Sequence, residues 1–316
     1  MDLNIKKILK TILPLVLGGF LVWYSLSKIS LEVLIGYFKD AKYGWIVLGL
    51  FFGILSHLSR AYRWKFMLEP LGFKPKYTNS VLAVLVGYLV NLAIPRAGEI
   101  SRATVMANYE KIPFEKGFGT IVAERIADLI MMLSIVAITL FVQFDFIYDL
   151  LTKNFNPTKI IIGLTVLILG FYILTSFIKK AKSGFLLKIK TFIAGLLEGV
   201  TSIFKMKNKW AFIFHTVFIW VMYVAMFWAT IPAIEGLHVP FGGILIGFIA
   251  GGFSIAATNG GIGLYPIAVA GALALFDVPT EPATAFGWIM WTAQTAMIIV
   301  FGGLAFFALP IYNKNK

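Results

Sequence analysis

The chain has 316 residues, 59% of them hydrophobic and 14% charged, with a formal net charge of +13. Soluble domains carry roughly 25% charged residues, so this composition excludes a soluble catalytic domain. It also makes the excess of lysine and arginine a mark of cytoplasmic loops rather than of a nucleic-acid surface. The absence of cysteine excludes disulfides and thiolate chemistry, and three histidines leave little for a metal site, so neither metal nor cofactor is expected.

Lys6, Lys7 and Lys10 precede a first apolar run at 11–26. The pattern resembles a signal peptide, but the run continues through Phe20, Leu21, Val22, Trp23 and Tyr24 with no small-residue cleavage site, which predicts an uncleaved first span. Residues 31–38 read either as an amphipathic helix lying in the interface or as an ordinary loop. A second apolar run covers 43–56, and a basic segment at 60–77 follows, with Arg60, Arg63, Lys65, Lys74 and Lys76 against Glu69.

The stretch 79–107 is apolar but broken at 91–99 by Asn91, Pro95, Arg96, Gly98 and Glu99. A further span begins near Phe118 and leads to a loop with Asp145, Asp149 and Lys153. The run at 159–178 precedes a segment, 179–209, with eight lysines against Glu198. Its 184–204 part reads as an interfacial helix or a basic loop. After the run at 210–231 and Glu235, the stretch 241–276 is broken at 258–266 by Asn259, Gly260, Gly261, Gly263, Tyr265 and Pro266. Asp277 and Glu281 precede the last run at 282–309, and Lys314 and Lys316 end the tail.

The positive-inside rule puts the N-terminus, 60–77, 179–209 and the tail in the cytoplasm, and the acidic loops outside. The charges sort correctly when both broken stretches are re-entrant. The expected fold is therefore all-α: a polytopic membrane protein with six full spans and two re-entrant helical hairpins, both termini cytoplasmic. The second half repeats the order of the first, turned over. The breaks at Gly98 and Gly263 lie 165 residues apart. This is the signature of an inverted-topology repeat, with 8–143 and 158–309 as its halves within a single transmembrane domain.

Ionisable residues in apolar segments cost about 2.5–3.5 kcal/mol each on the insertion scale. Arg96, Glu99 and Arg102 follow the first break at i, i+3 spacing. Glu124, Arg125 and Asp128 sit on the next span, with Glu124 and Asp128 at i, i+4. The six charges sum to zero. They read either as a polar cavity for a charged headgroup, with carboxylates carrying protons or ions, or as an ion-pair lock between helices. A half-helix starting after each break would aim its N-terminal dipole at an anion. In this reading Asn259 is a candidate N-cap, and Gly98, Gly260, Gly261 and Gly263 permit close approach to a ligand or helix. His57, Arg60, Asn91 and Gln294 are secondary candidates. Trp45, Trp64, Trp210 and Trp228 read as aromatic belt. Trp288, Trp291 and Gln294 read as cavity lining or as packing.

The segment from Ser56 to Lys65, then Asn91 with Pro95-Arg96-Ala97-Gly98-Glu99 and Arg102, then Glu124-Arg125-Ile126-Ala127-Asp128 resembles the lysylphosphatidylglycerol synthase transmembrane family, also called flippase-like domain proteins. The resemblance covers nearly the whole chain. It implies a lipid-translocating module, here without the cytosolic synthase domain, and relatives paired with glycosyltransferases imply phospholipid or polyprenyl-phosphate-linked substrates. One departure is visible: where the family carries Arg-Glu shortly after its second glycine cluster, this chain has Tyr265-Pro266.

These readings lead to a non-enzymatic lipid translocase of the cytoplasmic (inner) membrane. Its partners would be membrane lipids and a cytosolic or membrane enzyme that makes or uses the lipid. No phosphate-binding Gly-x-x-x-x-Gly-Lys-Ser/Thr loop is present, so ATP drive would need a partner. The rival expectations are a membrane-embedded lipid-phosphate enzyme and a structural subunit that recruits a cytosolic protein.

Overall fold

The computed structural model describes residues 5–154, 156–180, 183, 184, 187, 190 and 206–314. Among these residues every regular element is helical. In chain order they are α1 (Ile5–Leu26), α2 (Leu31–Asp40), α3 (Tyr43–Leu68), α4 (Tyr77–Ala93), α5 (Ala97–Glu110), α6 (Phe114–Val142), α7 (Phe144–Asn154), α8 (Pro157–Lys180), α9 (Lys209–Thr230), α10 (Phe241–Ala257), α11 (Leu264–Ala274) and α12 (Thr280–Tyr312). Short 3-10 turns, Glu69–Leu71 and Ile231–Ala233, extend α3 and α9. The interfacial helix considered for 184–204 lies almost wholly outside the described residues. The chain forms two compact units, Met1–Val122 with Trp210–Lys316, and Ala123–Lys209.

Local chemistry sets the helix ends. The Ser30 hydroxyl accepts from the Val33 N–H at 3.3 Å and starts α2, which turns 79° from the Val16–Leu26 part of α1. Pro95 follows the end of α4: a proline disfavours helical geometry in the residue before it, and Ile94 is extended, with φ −132° and ψ 109°. Pro240 and Pro279 occupy the N-caps of α10 and α12. Among the described residues, four helices are long and apolar enough to cross a membrane: α3 with its turn, α6, α9 with its turn, and α12. The bent α1–α2 pair makes a fifth if counted as one span. α8 is a further helix of 24 residues.

One expectation fails here. The run at 43–56 is only the first half of α3, which continues to Leu68. Arg60 and Arg63, read from sequence as charges of a cytoplasmic loop, are buried within it. Ser56, Arg60 and Arg63 recur at i, i+4 and i+7, so they share one inward face. Lys74 and Lys76 remain in the connection to α4.

In the first unit, small residues let helices meet closely. A side chain at Gly49 of α3 would strike Thr230 of α9, and one at Gly53 would lie 2.9 Å from Met226 Sδ. A side chain at Gly302 of α12 would lie 3.0 Å from the Leu85 carbonyl of α4, and one at Gly287 would lie 2.6 Å from Pro266 of α11. The apolar core centres on Phe227, Val269, Leu273, Phe286 and Ile289, with the rings of Phe227 and Phe286 edge-on at 5.0 Å. By contrast, Phe20, Phe214, Phe307 and Ile311 are exposed, an apolar exterior suited to lipid.

Elements recur at near-constant spacing. α4 and α10 are both 17 residues long and begin 164 residues apart. α5 and α11 begin 167 apart, and α6 and α12 begin 166 apart. The two Pro-containing 3-10 turns precede α4 and α10 in the same order.

Candidate functional site

The two broken stretches form helical hairpins in the first unit, α4–α5 and α10–α11, and their tips touch. The Asn259 side-chain amide donates to the Leu92 carbonyl at 3.0 Å, across 167 residues. A side chain at Gly260 would lie 3.1 Å from Leu92 Cδ2. Trp291 of α12 holds the second tip from behind, its indole N–H donating to the Gly260 carbonyl at 2.8 Å. Trp288 donates to Ser25 Oγ at 3.0 Å. Both tryptophans therefore fix helices in place.

Within the first hairpin, the Asn91 side-chain oxygen accepts from the Gly98 N–H at 2.7 Å. The Ala97 N–H reaches the Ile94 carbonyl at 3.1 Å. In the second, the Leu264 and Tyr265 N–H groups bond to the Ile262 and Gly261 carbonyls at 2.8 Å. These leading donors, expected to face a ligand, are engaged within the hairpins. Asn259 is not the N-cap of α11, a place Gly263 takes; it bridges to the other hairpin instead. The glycines serve chain-to-chain contact. A side chain at Gly98 would strike the Gly87 carbonyl, and one at Gly263 would lie 2.5 Å from the Val22 nitrogen of α1. Tyr265 is buried with its ring over Gly251. Gln294 has a buried amide nitrogen without a hydrogen-bond partner among the described residues.

Arg96, Glu99 and Arg102 share a helical register but not an environment. Arg96 is the N-cap of α5, exposed, with φ 64° and ψ 2° in the left-handed region. Such a conformation costs an L-residue roughly 1–2 kcal/mol and is found where function demands it. Glu99 is half-buried. Arg102 is buried, its guanidinium 4.4 Å above the Trp64 ring. Trp64 is itself fully buried and donates to Thr120 Oγ1 at 2.8 Å. The expected belt position of Trp64 is thus wrong: the indole packs inward because both Arg102 and Thr120 need it. Trp45, Trp210 and Trp228 are exposed, as a belt requires.

Helix α6 carries the other charges. Arg125 and Asp128 pair at 3.5 Å at i, i+3 spacing. Glu124 and Asp128 are buried, whereas 40% of the Arg125 side chain is exposed.

A charged and polar face of α3 adds residues that the sequence only partly signalled. Arg63 donates to Thr216 Oγ1 at 3.0 Å and lies 5.4 Å from the Phe212 ring centre. His57 is buried, its ring tilted 37° against Tyr88 with ring centres 4.4 Å apart, and its Nδ1 lies 3.5 Å from Ser56 Oγ. The Tyr88 and Tyr223 hydroxyls meet at 3.2 Å. Arg63 was legible in principle, since it continues the Ser56–Arg60 face. Tyr88 and Tyr223 carry no local signal, because they acquire meaning only when α4 and α9 meet.

The arrangement, a broken-helix pair beside charged groups in an apolar chain, is matched by a family model. The model for the lysylphosphatidylglycerol synthase TM region matches residues 11–303. The chain belongs to this family. The family model covers both hairpins and all six charges weighed above. Among curated proteins, a UPF0104 membrane protein of Methanocaldococcus jannaschii is 28% identical over 130 residues, 40% of this chain and 39% of that protein. The glycosyltransferase AglD of Haloferax volcanii is 30% identical over 88 residues, 28% of this chain and 14% of that protein. The chain thus spans well under two thirds of either relative. No solved structure matches it.

Proposed function

We propose that the protein is a lipid translocase that moves a phospholipid or a polyprenyl-phosphate-linked lipid between leaflets of the cytoplasmic membrane, with both termini in the cytoplasm. The carrying observation is the contact between two hairpin tips, Asn259 to Leu92, beside the exposed Arg96. Interrupted helices at matching places in two halves mark substrate sites in inverted-repeat transporters, and interrupted backbone is tolerated in a membrane only inside protein or beside water. The near-constant 164–167-residue spacing of α4–α6 and α10–α12 supports six full spans, α1, α3, α6, α8, α9 and α12, with the hairpins re-entrant between them. Family membership supports lipid as the substrate class.

In this reading Arg96 holds the phosphate by charge-assisted hydrogen bonds, and the dipoles of α5 and α11 add to its field. Asn91, Asn259 and Trp291 keep the tips in register. Glu99 balances charge near Arg96, and Glu124, Arg125 and Asp128 form a second charged group on α6 that carries protons or balances charge. The test is reconstitution in liposomes with labelled lipids and a leaflet-accessibility assay. Wild type should equilibrate the label between leaflets and Arg96→Ala should not. Conversion of the lipid to a new product in that assay would establish the enzymatic reading instead.

A further inference from the structure

Away from the hairpin tips, a cavity of about 370 Å³ opens where the end of α3 meets the start of α4, lined in part by Tyr62, Lys65, Glu69, Lys74, Tyr77 and Ser80. Its two cations differ. The Lys65 ammonium lies 3.6 Å from the Glu69 carboxylate and 5.5 Å from the Tyr62 ring centre, so its charge is already matched. Lys74, on the connection between the helices, takes part in no ion pair or hydrogen bond among the described residues.

The aromatic walls are held in place. Tyr77 donates to the Leu58 carbonyl at 3.1 Å and stands edge-on to Tyr62, ring centres 5.7 Å apart. Phe66 and His215 pack against Tyr62 at 5.6 and 5.0 Å. The cleft therefore combines one uncompensated ammonium with a rigid aromatic wall, in a volume within the roughly 300–1,000 Å³ range of small-molecule sites.

We propose that this cleft binds a phosphate ester, the headgroup of an anionic phospholipid, with Lys74 on the phosphate and the Tyr62 and Tyr77 rings against the glycerol. A bare ion would use the ammonium and leave the aromatic wall idle, whereas a lipid headgroup uses both. Its assignment to the cytoplasmic leaflet rests on the orientation proposed above; the cleft itself does not. It would be a peripheral lipid site, separate from Arg96.

The test is equilibrium binding to the purified full chain, delipidated in a neutral detergent, of short-chain phosphatidylglycerol, short-chain phosphatidylcholine and tail-less glycerophosphoglycerol. Phosphatidylglycerol should bind most tightly, and more weakly as salt rises. Lys74→Ala should weaken it about tenfold, the worth of one charge-assisted contact, and Lys74→Glu should weaken it further. Glu69→Gln removes the acid that holds Lys65 and should tighten binding several-fold, an effect that damage to the fold cannot mimic. Arg96→Ala should leave the Lys74-dependent part of this binding in place, so failure here is distinguishable from failure of the translocase reading. Equal affinity for glycerophosphoglycerol would keep the phosphate-ester site and make its occupant a soluble ester. The proposal is overturned if phosphatidylcholine matches phosphatidylglycerol, or if neither the Lys74 nor the Glu69 variants move the affinity.

Discussion

The Asn259 side-chain amide and the Leu92 carbonyl, 3.0 Å apart, tie together two helix breaks separated by 167 residues. Leu92 lies in the last turn of α4, where carbonyls lack partners within their own helix. One amide therefore satisfies a helix end and fixes the distance between the hairpins. Asn259→Leu should leave that carbonyl without a donor and lower stability by about 1–3 kcal/mol. Asn259→Asp should cost at least as much, because it sets an acceptor against an acceptor. Thermal unfolding of the variants in one detergent measures both, and an unchanged midpoint for Asn259→Asp would show that the bond carries no weight.

The same contact gives a cross-linking prediction. The chain has no native cysteine, so Leu92→Cys with Asn259→Cys introduces a unique pair. These positions should form a disulfide under mild oxidation, while Leu92→Cys paired with a cysteine at Phe307, exposed on α12, should not. If the tips separate during transport, the oxidised pair loses activity and reduction restores it. Failure to cross-link would contradict the hairpin contact itself.

Trp64 and Arg102 lead to a third expectation. The indole is fully buried, bonds to Thr120 and carries the Arg102 guanidinium on its face. Trp64→Ala should cost about 3–5 kcal/mol through the cavity and the lost stacking. Arg102→Lys keeps the charge but not the planar cation that stacks, so it should be destabilising rather than neutral. Denaturation midpoints of both variants decide this; a neutral Arg102→Lys would make the stack incidental.

How far the sequence foretold this arrangement depends on the range of the interactions. Pro95 next to Arg96 and Gly98, and the closely spaced Gly260, Gly261 and Gly263, disfavour helix through their own backbone chemistry, so both breaks were legible locally. The helical, lipid-facing character followed from composition alone. Trp64 was misread because its neighbours Arg63 and Lys65 look like an interface; only distant Arg102 and Thr120 explain its burial. Asn259 looked like a cap because the carbonyl it serves is on another hairpin. Arg96 and Arg102 looked equivalent by spacing, but one lies outside the first helical turn and the other under an indole.

A fourth prediction concerns the far end of the first hairpin. Asn79 and Asn313 exchange two amide hydrogen bonds, at 2.8 and 3.0 Å, and Asn79 also donates to Glu110. This buried network joins the start of α4, the end of α5 and the end of α12. Asn313→Leu should cost about 1–3 kcal/mol by leaving the Asn79 amide short of a partner. In a double-mutant cycle with Asn79→Leu the two changes should be non-additive by about 0.5–3 kcal/mol. Additive losses would mean that the pair does not act as a unit.

Arg96 allows backbone and side chain to be tested apart. Its left-handed φ of 64° strains any residue with a β-carbon, whereas glycine accepts it freely. Arg96→Gly should therefore be more stable than Arg96→Ala by about 1 kcal/mol, even though glycine is normally the poorer helix residue. Both variants lack the guanidinium, so both should lose lipid-phosphate binding at the hairpin tips. Arg96→Lys keeps the charge and the strain but not the planar fork, and should bind at an intermediate level. If Arg96 were instead half of a buried lock, its removal would cost about 3–5 kcal/mol, and Arg96→Ala and Arg96→Gly would be unstable alike. The exposure of Arg96 argues against a lock. Measuring thermal stability and phosphate binding on the same four purified proteins separates the cases. In a Lys74→Ala background, stable Arg96→Gly protein that still binds the lipid phosphate would end the clamp hypothesis, whereas a stable, non-binding Arg96→Gly would show that the strain is retained for the sake of the side chain.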